Sequence, residues 1–482
     1  MSASRRIATL LVMALATLIA CASHATIPRP ISRAFLDAGV PLNAVAIAVQ
    51  EVGAPRPLFA LDPDRPMLAA SVMKLVTTFA ALELLGRDYR WKTEAYLGGT
   101  LDKGTLNGDL ILKGHGDPKI TIEQWQAFMN ALHAKGLSTI TGDLVLDRSE
   151  FRLTPRDVAV FDDEPSKPYN VAPDALLVNF KSVRFVFAPN FNHDGVDVRA
   201  EPPLPQIAFG SAPHLSEGGC GDWRTAIRAA FVDHGANARA TFAGRYPASC
   251  EERDWYMALL DPQSYIHGMF TAYFREAGGH FAGGVREGRA PAGAAPFAVL
   301  ESPPLYDIVR DVNKLSNNVM ARQVFLTLAT TAHPPGVTTA QAAETIDQWL
   351  ARRRLRMPGL VLENGSGLSR RERVSAGSLA RLLAAADASA VREEFSSSLA
   401  VAAIDGTVQR RFRNGTVAGQ ALLKTGSIEG VRALAGYVID NEGRRWIVVA
   451  LINHPHAARG VAALDFLVQW VYRNGAAWAQ MQ

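Results

Sequence analysis

Ser71 has a lysine three positions on, at Lys74, and no other serine in the chain does. The pair opens an apolar run that reads as a helix from Ser71 to about Leu85, where a spacing of three puts two side chains on one face, a turn apart. A lysine amine so placed reaches the serine hydroxyl and can take its proton, which makes Ser71 a candidate acyl-enzyme nucleophile needing no histidine. Two more polar clusters follow, Ser316-Asn317-Asn318 and Lys424-Thr425-Gly426-Ser427. For all three to share a cleft, the fold must reunite segments separated by about half the chain, so most of what lies between Lys74 and Ser316 must be an excursion from the catalytic unit.

The size and composition allow this. With 482 residues, 48% hydrophobic and 20% charged, the chain buries a large core and holds two or more domains. Its formal charge is +4, and Arg5 and Arg6 contribute two of those charges. A processed chain is nearly neutral, which argues against a nucleic-acid partner. Arg5-Arg6 followed by the apolar run Ile7 to Ala20 has the form of an export signal, too short and wrongly flanked for a membrane span. Two readings of it stay open. Cleavage after Ala25 gives a signal peptide of residues 1–25 and a soluble periplasmic or otherwise exported product. A lipoprotein box at Leu18-Ile19-Ala20-Cys21 gives residues 1–20, with Cys21 as lipid anchor and peripheral membrane association. Cys220 and Cys250 are the other cysteines. In an exported chain a lone pair defaults to a disulfide, the alternative being two buried free thiols.

Along the chain, Asn43–Gln50 and Pro57–Leu61 read as a strand pair before the Ser71 helix. From about Lys92 to Arg289 the pattern changes to short strands broken by Gly, Pro and Asp. The segments Gly108-Asp109-Leu110 and Gly142-Asp143-Leu144 hint at duplicated hairpins. The stretch Arg289 to Pro296 is a small-residue connector. Beyond it, Leu305–Asn313 and Asn317–Thr330 read as helices with Ser316 capping the second. Ala421–Leu423 lead as a strand into Lys424, a hairpin turns at Asn441-Glu442-Gly443, and Ala457–Tyr472 closes as an amphipathic helix. The expected organisation is a mixed α+β catalytic domain of residues 26–91 and 291–482, interrupted by a β-rich insertion of residues 92–290.

Taken together, the three clusters make the set Ser-x-x-Lys, Ser-x-Asn, Lys-Thr-Gly that is shared by penicillin-binding proteins and serine β-lactamases. The chain resembles the class C low-molecular-mass penicillin-binding proteins, the D-alanyl-D-alanine carboxypeptidase and endopeptidase family, over nearly its whole mature length. Further similarity lies in Ser302-Pro303-Pro304-Leu305 ahead of Lys314-Leu315-Ser316-Asn317-Asn318, in Asn364-Gly365-Ser366-Gly367-Leu368-Ser369-Arg370, in Asp405-Gly406-Thr407, and in Cys220-Gly221-Asp222-Trp223 with Cys250-Glu251-Glu252. The family usually has Asp where this chain has Asn364. The resemblance implies a serine β-lactamase/DD-peptidase-like transpeptidase domain, a five-stranded antiparallel sheet packed by helices. It also implies peptidoglycan stem peptides as substrate and β-lactams as inhibitors.

For Ser71 to attack a carbonyl, Lys74 must be largely neutral near pH 7 despite a reference pKa of ~10.4. Desolvation and a second cation, Lys424, can both lower it. By resemblance Lys424 also meets the substrate's terminal carboxylate with Thr425, while Gly426 keeps the strand surface flat for the substrate backbone. Ser316 can relay a proton to the leaving amine and Asn318 can orient the substrate. The backbone amides of Ser71 and Ser427 would form the oxyanion hole.

Two competing functions share these residues. A class A β-lactamase needs Glu-x-x-x-Asn downstream of Ser-x-Asn, and Glu344 is followed by Thr-Ile-Asp-Gln. A non-catalytic penicillin-binding or wall-binding protein has no need of the full set. No cofactor and no metal is expected, since His454 and His456 lack helical ligand spacing and His115 reads as a turn residue. The arginines from Arg352 to Arg356 and from Arg370 to Arg373 read as a solvated helix end, with contact to anionic wall polymer or membrane surface as the alternative.

Overall fold

The computed structural model describes residues 27–154, 161–413 and 415–481. The export signal and Cys21 lie outside the described residues. At the centre is an antiparallel sheet built from strands distant in sequence: β1 (Val45–Glu51), β2 (Phe59–Leu61), β3 (Ala400–Val401), β4 (Ala421–Ile428), β5 (Val431–Ile439) and β6 (Arg445–Asn453), in the spatial order β3-β4-β5-β6-β1-β2. The sheet has six strands where five were expected, with the two-residue β3 on one edge.

The central strands read as unbroken apolar runs because both faces are covered. Successive side chains alternate between the faces. Ala46, Ala48, Ala433, Ala435, Ile447, Val449 and Leu451 point into one core. Val45, Ile47, Val49, Leu434, Val448, Ala450 and Ile452 point into the other. The first core is closed by helices α2 (Lys74–Leu85), α3 (Leu305–Lys314), α4 (Asn318–Ala329), α5 (Thr339–Arg352) and α6 (Ala376–Asp387). The second is closed by α1 (Arg29–Asp37) and the terminal α7 (Val461–Gln480). Helix α2 is apolar on nearly every side, Lys74 to Leu82 being buried without a break. That is the pattern of a helix enclosed by its neighbours, not one lying on a surface.

Between Trp91 and Ser302 the chain leaves this unit and builds its own core around Trp125, Phe185, Phe242, Tyr246 and Phe270. Exit and return run side by side. Strand Ala298–Glu301 pairs antiparallel with strand Lys92–Asp102, and Trp91 and Ser302 exchange hydrogen bonds through backbone and the Ser302 hydroxyl. An excursion whose ends are zipped together leaves the host fold nearly undisturbed. The two Gly-Asp-Leu segments are not repeated hairpins. Strands Thr105–Gly114 and Leu144–Asp147 lie parallel, Leu110 beside Leu144, because helix Ile122–Ala134 carries the chain across between them. Cys220 and Cys250 are joined by a disulfide within this region.

Candidate active site

Ser71 stands ahead of α2, not inside it. Ala70–Met73 form a 3₁₀ turn that runs directly into the helix at Lys74, and Ala70 takes a left-handed φ of 45°. A non-glycine residue rarely adopts that conformation unless its surroundings enforce it. Here the enforcing neighbours are two glycines. A Cβ on Gly426 would stand 2.3 Å from the Ala69 carbonyl oxygen, and one on Gly367 would stand 1.8 Å from that of Ala70. Gly426 therefore lets β4 press directly on the Ser71 turn, a closer constraint than the flat substrate surface expected of it.

The Lys74 amine donates to Ser71 Oγ at 2.9 Å, to Asn318 Oδ1 at 2.6 Å and to the Ser366 carbonyl at 2.6 Å. Lys424 Nζ donates to Ser316 Oγ at 2.9 Å and to the Thr425 carbonyl at 3.0 Å. Both lysines are fully buried. Burial depresses the Lys74 pKa well below the ordinary lysine value; the charge of Lys424 lowers it further, Glu372 opposes and Arg322 adds. Burial likewise brings Lys424 down to about 7. Desolvation thus comes before the neighbouring cation as the cause at Lys74, and burial alone is the cause at Lys424.

Ser316 does not cap α4. It sits at a left-handed φ of 57°, and Asn317 is the N-cap, accepting from the Met320 N–H at 3.0 Å. That kink turns the Ser316 hydroxyl to Lys424 and sets Asn318, the first helical residue, against Lys74. Thr425 Oγ1 donates to Thr407 Oγ1 at 2.8 Å, in the turn after Asp405, whose carboxylate pairs with Lys314.

Strand β4 presents an open edge beside these groups. The Ala421 carbonyl accepts from Ala402, so alternate residues Leu423, Thr425 and Ser427 turn their backbone groups to that side. Pairing with β3 ends at Leu423, opposite Ala400, and among the described residues no strand continues it past Thr425 and Ser427. An extended peptide can add itself there, and Ser427 is exposed on that edge.

The structure thus brings Ser71, Lys74, Ser316, Asn318 and Lys424 into one cluster, with Thr425, Gly426 and Ser427 along its wall. Three contributors were not named as site residues from the sequence: the Ser366 carbonyl and Thr407, which lie in runs the resemblance includes, and the buried Glu372, which lies outside them. The run around Ser366 was visible in the sequence, but a carbonyl's direction is not. His115 does more than turn the chain, since it bridges Glu94 at 3.0 Å and Glu150 at 3.3 Å. The arginines divide: Arg353 pairs with Glu83, while Arg370 pairs with Glu429 and lies over Phe161.

This layered sheet, with a serine and two buried lysines beside it, is the arrangement shared by the serine penicillin-binding proteins and β-lactamases. Residues 29–473 match the D-Ala-D-Ala carboxypeptidase 3 (S13) family, and the chain belongs to it, a serine hydrolase acting on peptidoglycan. It is 29% identical over 439 residues to a D-alanyl-D-alanine carboxypeptidase of Actinomadura sp. (strain R39), covering 87% of this chain and 79% of that one. It is 24% identical over 390 residues to D-alanyl-D-alanine carboxypeptidase DacB of Haemophilus influenzae, covering 80% of each. The crystal structure of penicillin binding protein 4 from the same organism shares the fold with a TM-score of 0.77 at 22% identity, over 93% of this chain and 100% of that one.

Proposed function

We propose that Ser71 is the nucleophile of a DD-peptidase that removes the terminal D-Ala from peptidoglycan stem peptides, cleaves D-Ala cross-links, or both, and that penicillin acylates the same hydroxyl. The observation that carries this is the 2.9 Å hydrogen bond joining the buried Lys74 amine and Ser71 Oγ, which the hydroxyl donates once the amine has lost its proton. Neutral Lys74 takes the hydroxyl proton as the C–O bond to the substrate carbonyl forms. The resulting ammonium rests on Asn318 Oδ1 and the Ser366 carbonyl. Collapse of the tetrahedral intermediate expels the amine of D-Ala, protonated through Ser316, and water then hydrolyses the ester.

Backbone N–H groups of Ser71 and Ser427 receive the oxyanion in this reading, one at the start of the 3₁₀ turn and the other on the open edge of β4. Lys424, charged when it meets the substrate carboxylate, and Thr425 hold the peptide end. The expected division at residues 92–290 shifts at its far end: strand Ala298–Glu301 pairs with strand Lys92–Asp102, which supports an accessory region of residues 92–301 and a catalytic domain of residues 26–91 and 302–482. The export segment places the enzyme outside the cytoplasm, either free in the periplasm or anchored through Cys21.

Incubation with a pentapeptide ending in D-Ala-D-Ala is expected to release D-alanine from the native chain and none from Ser71→Ala, and fluorescent penicillin should leave a lasting adduct on Ser71 alone. Rapid drug turnover without an adduct would instead mark a β-lactamase. Digestion of purified cross-linked muropeptides separates trimming from cross-link cleavage.

A further inference from the structure

The Glu372 carboxylate is buried and accepts four backbone N–H groups of one loop. Oε1 takes those of Glu363, Asn364 and Gly365 at 2.9, 2.9 and 2.8 Å, and Oε2 takes that of Gly367 at 2.8 Å. The fourth contact carries the consequence. The N–H of Gly367 and the C=O of Ser366 belong to the same peptide unit, and that C=O accepts from Lys74 Nζ at 2.6 Å. One planar amide therefore stands between the carboxylate and the amine, hydrogen-bonded at both ends.

We infer that Glu372 is a positioning residue for the acylation step, acting on Lys74 through the Ser366–Gly367 peptide. This deepens the proposed function and rests on its assignment of Lys74 as the base. A negative charge at the N–H end of an amide draws electron density toward the oxygen, and hydrogen bonds in such a chain strengthen one another. The Ser366 carbonyl becomes a better acceptor, so the ammonium that Lys74 becomes on taking the Ser71 proton is better held. The four N–H contacts also fix where that carbonyl points. Gly365 and Gly367, at φ of 69° and 80°, let the loop close around the carboxylate. Ser369 keeps the far side in place, its Oγ accepting from the Glu372 N–H at 3.1 Å and donating to Glu363 Oε2 at 2.5 Å.

Other charges face the pair. Lys424 comes from β4 and Arg322 from α4, and both oppose the proton on Lys74, whereas Glu372 favours it. Arg322 also feels the charges of Glu372 and Glu363. Removing Glu372's charge must lower the affinity of Lys74 for its proton, and removing Arg322's must raise it. The rate of acylation rises with pH as Lys74 loses its proton, so the two changes move the acid limb in opposite directions.

The test is the pH dependence of Ser71 acylation by fluorescent penicillin in the full chain. Glu372→Gln is expected to move the acid limb down by about one pH unit and to cut the plateau rate about tenfold, a weaker base being a slower one. Arg322→Gln is expected to move the limb up. A Glu372→Gln chain that is slower or less stable but keeps the limb in place overturns the inference and leaves only a structural role. Should that chain not fold, Glu372→Asp decides, since the shorter side chain keeps the charge but withdraws it from the Gly367 N–H: a limb moved down supports the coupling and an unmoved limb refutes it. Failure of the native chain to acylate at Ser71 would instead sink the underlying assignment of the nucleophile and base.

Discussion

Gly367 lies so close to Ala70 that a β-carbon on the glycine would stand 1.8 Å from the Ala70 carbonyl oxygen and 2.8 Å from the Ser71 nitrogen. The glycine loop and the nucleophile turn are therefore set by one contact. Gly367→Ala adds a methyl group at a φ of 80° that also disfavours it. The turn must move or the loop must open. Acylation by penicillin is expected to fall at least about a hundredfold, the cost of losing one oxyanion donor, with stability lowered by about 1–3 kcal/mol. Active-site titration and a thermal melt read the two effects separately.

Lys74 is a buried amine whose loss of its proton costs stability, and the proposed reaction uses it as the base. Replacing it with methionine removes the base and the penalty together. Lys74→Met should lose about a thousandfold or more in acylation, by analogy with loss of one member of a catalytic triad. It should gain about 1–2 kcal/mol in stability, as apolar replacements of buried charges often do. Mass spectrometry after exposure to penicillin, with urea denaturation alongside, gives both; a chain that is inactive and also less stable would count against this account.

Lys424, at about 7, gives an activity signature that depends on the substrate. Its ammonium form meets a carboxylate, so hydrolysis of a peptide with a free C-terminus should decline as pH rises through the lysine's pKa in the complex. The same peptide amidated at its C-terminus should lose that alkaline limb. The acid limb, set by Lys74, should remain for both. The stability sign also follows: between about 7 and roughly 10.4 the unfolded chain holds a proton on this lysine that the folded chain lacks, so stability rises with pH across that window. Rate profiles with the two peptides, and urea midpoints across the window, check these expectations.

His115 joins Glu94, on strand Lys92–Asp102, to Glu150, whose backbone carbonyl accepts from Gly336 and Val337 near α5. The hydrogen bond to Glu150, followed by that to Glu94, raises the imidazole's pKa above its ordinary value against the opposing effect of burial. A raised histidine contributes stability that is fully present below about 6.5 and is lost as pH climbs through the folded-state value. His115→Gln should therefore cost most at pH 6 and least at pH 8.5. Paired denaturation curves at the two values measure the gap, and an equal gap at both would exclude the charged bridge.

Residue type and order alone marked out the candidate site of this protein. Ser71, Lys74, Ser316, Asn318 and Lys424 are legible because the Ser-x-x-Lys, Ser-x-Asn and Lys-Thr-Gly set recurs in one order, although Ser71 lies in a 3₁₀ turn ahead of α2 and not on the helix that the spacing of three suggested. The continuous apolar runs of β1, β5 and β6 likewise read as strands, and the covering of both their faces is what makes them continuous. Tertiary structure decided what depends on direction. The left-handed kink at Ser316, the aim of the Ser366 carbonyl, the reach of Glu372 to four amides and the pressure of Gly426 on Ala69 arise where segments far apart in sequence are packed within a few ångströms. Burial decided the rest, because the same two lysines exposed to water would keep their protons, and the closed core around them is what lowers their hold on those protons.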